Sequence, residues 1–278
     1  MPDIAGATTD RPKRDRKEFP WWLVAAALIA LACALAIAAS DLYTQIFSTV
    51  VRGLWITVWV TVSGFAFASA LGLAIALMSL SGSLVLRQIA RFYVEIIRGI
   101  PILVLLFWIA FAGVPAFVAG WNWLAAPLRE AGLVGELLVR DVSLLMRAVL
   151  ALTIGYSAFI AEVFRAGIQS VEAGQIEAAK ALGLSRFQRF RLIVMPQAIR
   201  TILPPLGNDF VAMVKDSSLV SVLGVADITQ LGKIYAAGSF RFFETYSVVA
   251  YIYLMLTVSL SIALRSLEKR MRKGKGHE

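Results

Sequence analysis

A chain of 278 residues that is 59% hydrophobic, with a mean hydropathy of +0.76, lies outside the composition of soluble globular domains. It reads as an integral membrane protein, and its net charge of +9 requires no nucleic acid, because basic loops also meet anionic lipid headgroups. A single cysteine, Cys33, excludes a disulfide framework and a thiol metal site, and no metal is expected.

In chain order, a basic leader with Arg11, Lys13, Arg14, Arg16 and Lys17 precedes the apolar run 21–39. Ala36-Ile37-Ala38 resembles a signal-peptide cleavage site, but the run exceeds the roughly 7–15 residues of a signal core, so a retained helix is expected. Charge-free runs at 53–86, 99–128 and 245–264 are each long enough to cross a bilayer, which takes about 20 apolar residues. Segments 144–161 and 202–225 extend the count to about six spans, provided that Asp209, Lys215 and Asp216 sit inside the membrane. The fold class is therefore all-α: a polytopic helix bundle of about six transmembrane helices.

Most basic residues, including Arg87, Arg91, Arg98, the cluster from Arg165 to Arg200 and the tail from Arg265, fall on one side if both termini are cytoplasmic. Only Arg52, Arg129, Arg140, Arg147, Lys233 and Arg241 fall outside. An outer segment, 114–143, carries Trp121, Trp123, Arg129, Glu130, Glu136 and Asp141; its aromatics suit the membrane interface.

The stretch 172–197, EAGQIEAAKALGLSRFQRFRLIVMPQ, is a charged interruption facing the cytoplasm. Alanines favour a first helix to Leu182, Gly183 suits a left-handed cap, and Ser185 with Gln188 is a capping-box signature for a second helix. That second helix is expected to turn Phe187, Phe190 and Ile193 to one side, and Pro196 and Pro204-Pro205 to mark bends or restarts. A DNA-binding helix-turn-helix shares this outline, but here the second helix runs into a span instead of ending as a free recognition helix. A plain solvated loop and a protein-docking knob remain.

Residue-level likeness favours the knob. Glu177-Ala178-Ala179, Gly183, Ile193 and Met195-Pro196 resemble the EAA motif of ABC-importer permease subunits, with Met in place of the family's Leu. RGIP at 98–101, AEVFRAGIQSV at 161–171, MPQAIRTILPPLGNDF at 195–210 and KDSSLVSVLGV at 215–225 resemble the polar amino acid uptake subfamily. Ile100, Phe159 and Ser217 depart from its usual Thr, Tyr and Thr. The likeness covers about 50–267, which gives an organisation of 1–49 as basic leader and extra first helix, 50–267 as permease domain with the EAA loop at 172–197, and 268–278 as basic cytoplasmic tail.

The resemblance implies a permease subunit that forms the pathway for a polar amino acid in a prokaryotic inner membrane. It implies a cytoplasmic coupling helix in which Glu177, Ala178, Ala179, Gly183, Leu184 and Ser185 meet an ABC ATPase. It also implies a second permease subunit, identical or paralogous, and an extracytoplasmic solute-binding protein that the outer segment could contact. The chain has no G-x-x-x-x-G-K-[ST] loop, so no enzymatic activity and no bound cofactor are expected of it; ATP and Mg belong to the partner ATPase. Gly155-Tyr156-Ser157-Ala158-Phe159 lacks the second glycine of a nucleophile elbow.

Charged residues at membrane depth should face a cavity or a partner. Asp209, Lys215, Asp216, Glu162 and Arg98 are candidates for the substrate pathway, where opposite charges would suit the two ends of an amino acid. Glu95 with Arg98, and Glu162 with Arg165, can each meet on one helix face as structural pairs. Gly64, Ala68, Gly72 and Ala76 form a small-residue stripe expected to pack inside the subunit. Alternatives are an ion-coupled carrier, for which no inverted repeat is found, and an ABC permease for a non-amino-acid solute.

Overall fold

The computed structural model describes residues 21–273; the leader with Arg11 to Lys17, together with Lys275 and His277 of the tail, lies outside the described residues. Among the described residues there are helices and turns and no strand. The chain runs through α1 (Trp21–Ala39), α2 (Asp41–Val50), α3 (Leu54–Ser79), α4 (Leu84–Gly99), α5 (Ile102–Trp108), α6 (Val114–Leu124), α7 (Ala126–Glu130) and α8 (Leu144–Gln169). It continues through α9 (Ala173–Ala181), α10 (Arg186–Arg189), α11 (Met195–Asp216), α12 (Ile228–Ser239) and α13 (Phe242–Lys273).

Among the described residues, four helical stretches are long and apolar enough to cross a membrane: Asp41–Ser79, Ile102–Leu124, Leu144–Gln169 and Phe242–Lys269. The apolar helix Val24–Ala39 is shorter, and α11 is too polar to count by composition. Large apolar side chains such as Trp55, Phe67, Trp108 and Leu254 are exposed, as a surface that meets lipid requires.

The bundle is centred on α3 against α8. Gly64, Ala68, Gly72 and Ala76 are all buried, so the small stripe packs within this subunit as expected. A Cβ on Gly72 would lie 2.9 Å from both Ile160 Cγ2 and the Ser157 carbonyl oxygen, so the two backbones approach as closely as only glycine permits. Gly72→Val should therefore push α3 off α8 and destabilise the bundle by about 1–3 kcal/mol; a lowered detergent-melting temperature checks this, and an unchanged one refutes it. Val60, Leu106, Leu152, Ile160 and Met213 complete the main core. Ile46, Val50, Ile228 and Val248 form a second one between α2, α12 and α13.

Several expected boundaries move. The run 53–86 breaks after Ser79 and restarts at Leu84, because Ser81-Gly82-Ser83 supplies a turn and an extended entry to α4. The span expected at 144–161 continues to Gln169, since Glu162 and Arg165 pair along the helix and need not leave it. The segment 202–225 is not one span: α11 ends at Asp216, a 3-10 stretch covers Ser217–Leu223, and Gly224 turns the chain at φ 82°. Pro204 and Pro205 lie inside α11 instead of marking its start. The outer segment is shorter than 114–143, because α6 carries the third span on to Leu124.

Two single-turn π-helices, Ile109–Gly113 and Phe190–Val194, each precede a proline in the first turn of the next helix, Pro115 and Pro196. A proline cannot donate to the carbonyl four residues back and its ring crowds that carbonyl; a widened turn just upstream relieves both problems. The extra residue shifts helical phase. Phe187 is exposed while Phe190 and Ile193 are half-buried, so the three do not share a face as expected.

The buried guanidinium of Arg147 explains how the segment between α6 and α8 is held. It donates to the carbonyls of Val142 at 2.9 Å and Val139 at 2.5 Å, and to Ala110, within the first π-turn, at 3.0 Å. Asn122 accepts from Leu137 N and donates to Leu137 O, and Arg129 pairs with Glu136 at 3.5 Å.

Asp227 ties α3, α12 and α13 together. It is fully buried, caps α12 by accepting from Gln230 N at 2.8 Å, and accepts from Tyr253 Oη of α13 at 3.1 Å. Gly53, at the start of α3, lies so close that a Cβ would come within 2.4 Å of the Asp227 and Ile228 backbone. Burial raises the Asp227 carboxyl above the ordinary aspartate value of 3.8, because desolvation outweighs its hydrogen bonds. A raised folded-state value means that the native state holds the proton longer, so this group's contribution to stability is greatest below 3.8 and declines as pH rises through the folded-state value. Wild type should thus lose more stability than Asp227→Asn on going from acid to neutral pH. Paired pH–denaturation series check the difference, and parallel curves would refute it.

Candidate functional site

Two places bring functional candidates together: a polar pocket inside the bundle and a knob at the loop 172–197. The knob begins at α9. Glu177 and Ala178 are exposed, whereas Ala179 is buried, so its methyl packs beneath the knob and only Ala178 offers a low-profile surface. Gly183 adopts φ +77° with nothing within 4 Å of where a Cβ would stand, which only a residue tolerant of the left-handed region can do without strain. Its N–H donates to the Lys180 carbonyl at 3.0 Å and the Leu184 N–H to the Ala179 carbonyl at 3.1 Å, closing the end of α9.

Ser185 and Gln188 form the expected capping box. Ser185 Oγ accepts from Gln188 N at 3.3 Å and Gln188 Oε1 accepts from Ser185 N at 2.8 Å. The turn projects Leu182, 80% exposed, and Phe187, 70% exposed. Beneath them Val171, Val194, Ala198 and Ile202 make a small core, and Gln197 donates to Gln175 at 2.6 Å. The knob is therefore fixed to α8 and α11, the two helices that also line the pocket.

That pocket has a volume of ≈ 540 Å³ and is lined by Arg98, Ile100, Pro101, Tyr156, Phe159, Asp209 and Asp216, among others. Tyr156 Oη donates to Asp216 Oδ2 at 2.7 Å. Oδ2 of Asp209 is buried with no hydrogen-bond partner among the described residues. The Arg98 guanidinium lies 5.5 Å from the centroid of the Phe159 ring. One cation and two carboxylates thus line a cavity large enough for an amino acid, one carboxylate being held by a tyrosine and the other having one oxygen unpaired.

The five expected pathway residues divide. Arg98, Asp209 and Asp216 line this pocket; Lys215 is exposed and does not. Glu162 faces a different pocket, where Arg165 grips it through Nε at 3.1 Å and Nη2 at 2.5 Å. Glu95 and Arg98 do not pair as expected, the Arg98 head group standing over Phe159 instead. Tyr156 and Phe159 were missed by sequence reasoning, although their i, i+3 spacing with Glu162 marks one stripe of α8. Ser157 is no nucleophile: it is buried, donates to the Ile154 carbonyl at 2.8 Å and lies 2.8 Å from the Tyr93 hydroxyl.

Residues 68–273 match the family described as the binding-protein-dependent transport system inner membrane component. The chain belongs to that family. It is 35% identical over 227 residues to the probable amino-acid permease protein YxeN of Bacillus subtilis, covering 82% of this chain and 93% of the relative. It is 36% identical over 222 residues to the glutamine transport system permease protein GlnP of Escherichia coli, covering 80% and 92%. Among solved structures, an amino acid ABC transporter with histidines superposes with a TM-score of 0.67 at 36% identity, covering 82% of this chain and 95% of that one. The MetNI methionine transporter, at 21% identity and a TM-score of 0.62, shares the fold. The chain is thus an ABC-importer permease subunit, and the ion-coupled carrier is set aside.

Proposed function

We propose that this permease moves a polar amino acid inward through the Arg98–Tyr156–Asp209–Asp216 pocket, driven by an ABC ATPase that grips the α9–α10 knob. The observation that carries the reading is the convergence of a guanidinium and a half-buried carboxylate with one unpaired oxygen in one cavity of ≈ 540 Å³. An amino acid offers a carboxylate to Arg98 and an ammonium to Asp209, which makes two charge-assisted contacts. The relatives named as amino-acid and glutamine permeases point to the same substrate class.

Glu177, Ala178, Gly183, Leu184 and Ser185 would present the knob to the ATPase groove, with Ala179 supporting it from below. Because the knob is fixed to α8 and α11, closure of the ATPase pair would move both pocket walls together, a rigid-body coupling of two sites. Both termini would lie in the cytoplasm, 1–49 and 268–278 flanking the permease domain, with a solute-binding protein and a second permease subunit completing the importer. ATP and Mg would be held by the ATPase.

The test is uptake of labelled glutamine, glutamate, arginine and histidine into proteoliposomes containing the permease, its ATPase and its binding protein. Uptake of at least one that requires ATP supports the proposal. Uptake independent of the ATPase, or ATP-driven uptake of a solute other than an amino acid, overturns it.

A further inference from the structure

The polar lining does not end at the central pocket. Along α4, Arg91, Glu95 and Arg98 recur at i, i+4 and i+7, and along α8, Phe159, Glu162 and Arg165 recur every three residues. The two helices pack together, and a second pocket of ≈ 380 Å³ opens between them over Ile75 and Ser79 of α3. Arg98 and Phe159, in contact with each other, line the central pocket and lie about one helical turn from Glu95 and Glu162 of the second.

The charges in the second pocket are unevenly matched. Glu162 and Arg165 hold each other through two hydrogen bonds, and Gln169 accepts from Arg165 at 2.8 Å. Arg91 and Glu95, both exposed, also line the cavity, and neither makes a hydrogen bond or ion pair among the described residues. Arginine preceding glutamate by four residues is the weaker order for a helical pair. One helical turn, about 6 Å along the axis, separates these two free groups. A ligand that satisfies both has a cation and an anion a few ångströms apart and no net charge.

We propose that this pocket is a second zwitterion site, in which a free amino acid at the cytoplasmic end of the α4–α8 seam sets its carboxylate on Arg91 and its ammonium on Glu95. The inference rests on the amino-acid reading above. It makes the seam a two-station route: the cation–π contact of Arg98 on Phe159 is worth only about 0.5–1 kcal/mol at an exposed site, weak enough to yield as the amino acid passes. The headgroup of phosphatidylethanolamine offers the same pair of charges, so the experiment must separate the two sources.

The permease with its ATPase subunits is placed in nanodiscs of phosphatidylglycerol alone, carrying Cys33→Ser and Ser79→Cys, and maleimide labelling of the new thiol is followed. Ser79 Oγ donates only to the Ala76 carbonyl, so a thiol is tolerated there. Glutamine, glutamate, arginine or histidine should slow labelling, whereas acetate and methylamine, each half of the zwitterion, should not. Arg91→Gln and Glu95→Gln should each raise the concentration needed by about tenfold, the worth of one charge-assisted contact, and Asp209→Asn in the other pocket should leave it unchanged. If no amino acid protects while ATP-driven uptake persists, the second site is wrong and the transport reading stands. If neither protection nor uptake is seen with any of the four, the amino-acid reading fails and takes this site with it. Protection by phosphatidylethanolamine and not by amino acids overturns the proposal in favour of a lipid site.

Discussion

Gly183→Val is expected to lower ATP-driven uptake about tenfold or more while leaving membrane insertion intact. The position has φ +77° and open space around it, so a new side chain meets no neighbour; the obstacle is the backbone itself. An L-residue in the left-handed region costs roughly 1–2 kcal/mol, and a β-branched one more, and each 1.4 kcal/mol is a factor of about ten in an equilibrium. The strain is relieved by opening the turn held by the Lys180 and Ala179 carbonyls, which swings Leu182 and Phe187 away from where they project. The ATPase should then co-purify poorly. Gly183→Asn is the informative companion, because asparagine accepts the left-handed region and should retain most of the activity. Valine and asparagine variants that both transport like wild type would remove the turn from the coupling mechanism.

That turn was legible in the sequence because each of its devices is local. A glycine at the end of an alanine-rich run, and a serine three residues before a glutamine, dictate a cap and a capping box from neighbours alone. The same holds for Asp227, whose spacing to Gln230 carried a capping signal that was overlooked. The π-turns were not read, although Pro196 and Pro115 marked where a regular helix cannot close its hydrogen bonds. Phe187 also stands on a different face from Phe190 and Ile193. The division of 202–225 also escaped, since an apolar 3-10 stretch and an apolar α-helix have the same composition; Gly224 was its only local signal.

The pocket was half legible. Ionisable residues at membrane depth identify candidates, because lipid tolerates them only with a partner or a cavity. Which candidates meet is decided by partners distant in sequence: Tyr156 of α8 takes Asp216 of α11, and Phe159 takes Arg98 of α4. Lys215 is turned away from that group because its neighbour Asp216 points inward, and adjacent residues on a helix stand about 100° apart.

Asp209 distinguishes a binding residue from a structural one. A buried acceptor without a partner destabilises the chain that carries it, by about 1–3 kcal/mol and more when charged, so a purely structural role would be a liability. Asp216 has Tyr156, but nothing among the described residues serves Asp209 Oδ2, and under the proposed reading the substrate ammonium pairs with this carboxylate. Asp209→Asn keeps the shape and removes the charge. It should leave melting temperature unchanged or raise it, while the KM for uptake rises about ten- to a hundredfold through loss of one charge-assisted contact of about 1.5–3 kcal/mol. Tyr156→Phe should act differently, since it frees Asp216 Oδ2 and so lowers stability as well as uptake. An Asp209→Asn permease with wild-type KM, or one whose uptake falls only in proportion to a fall in melting temperature, would take Asp209 out of the pathway.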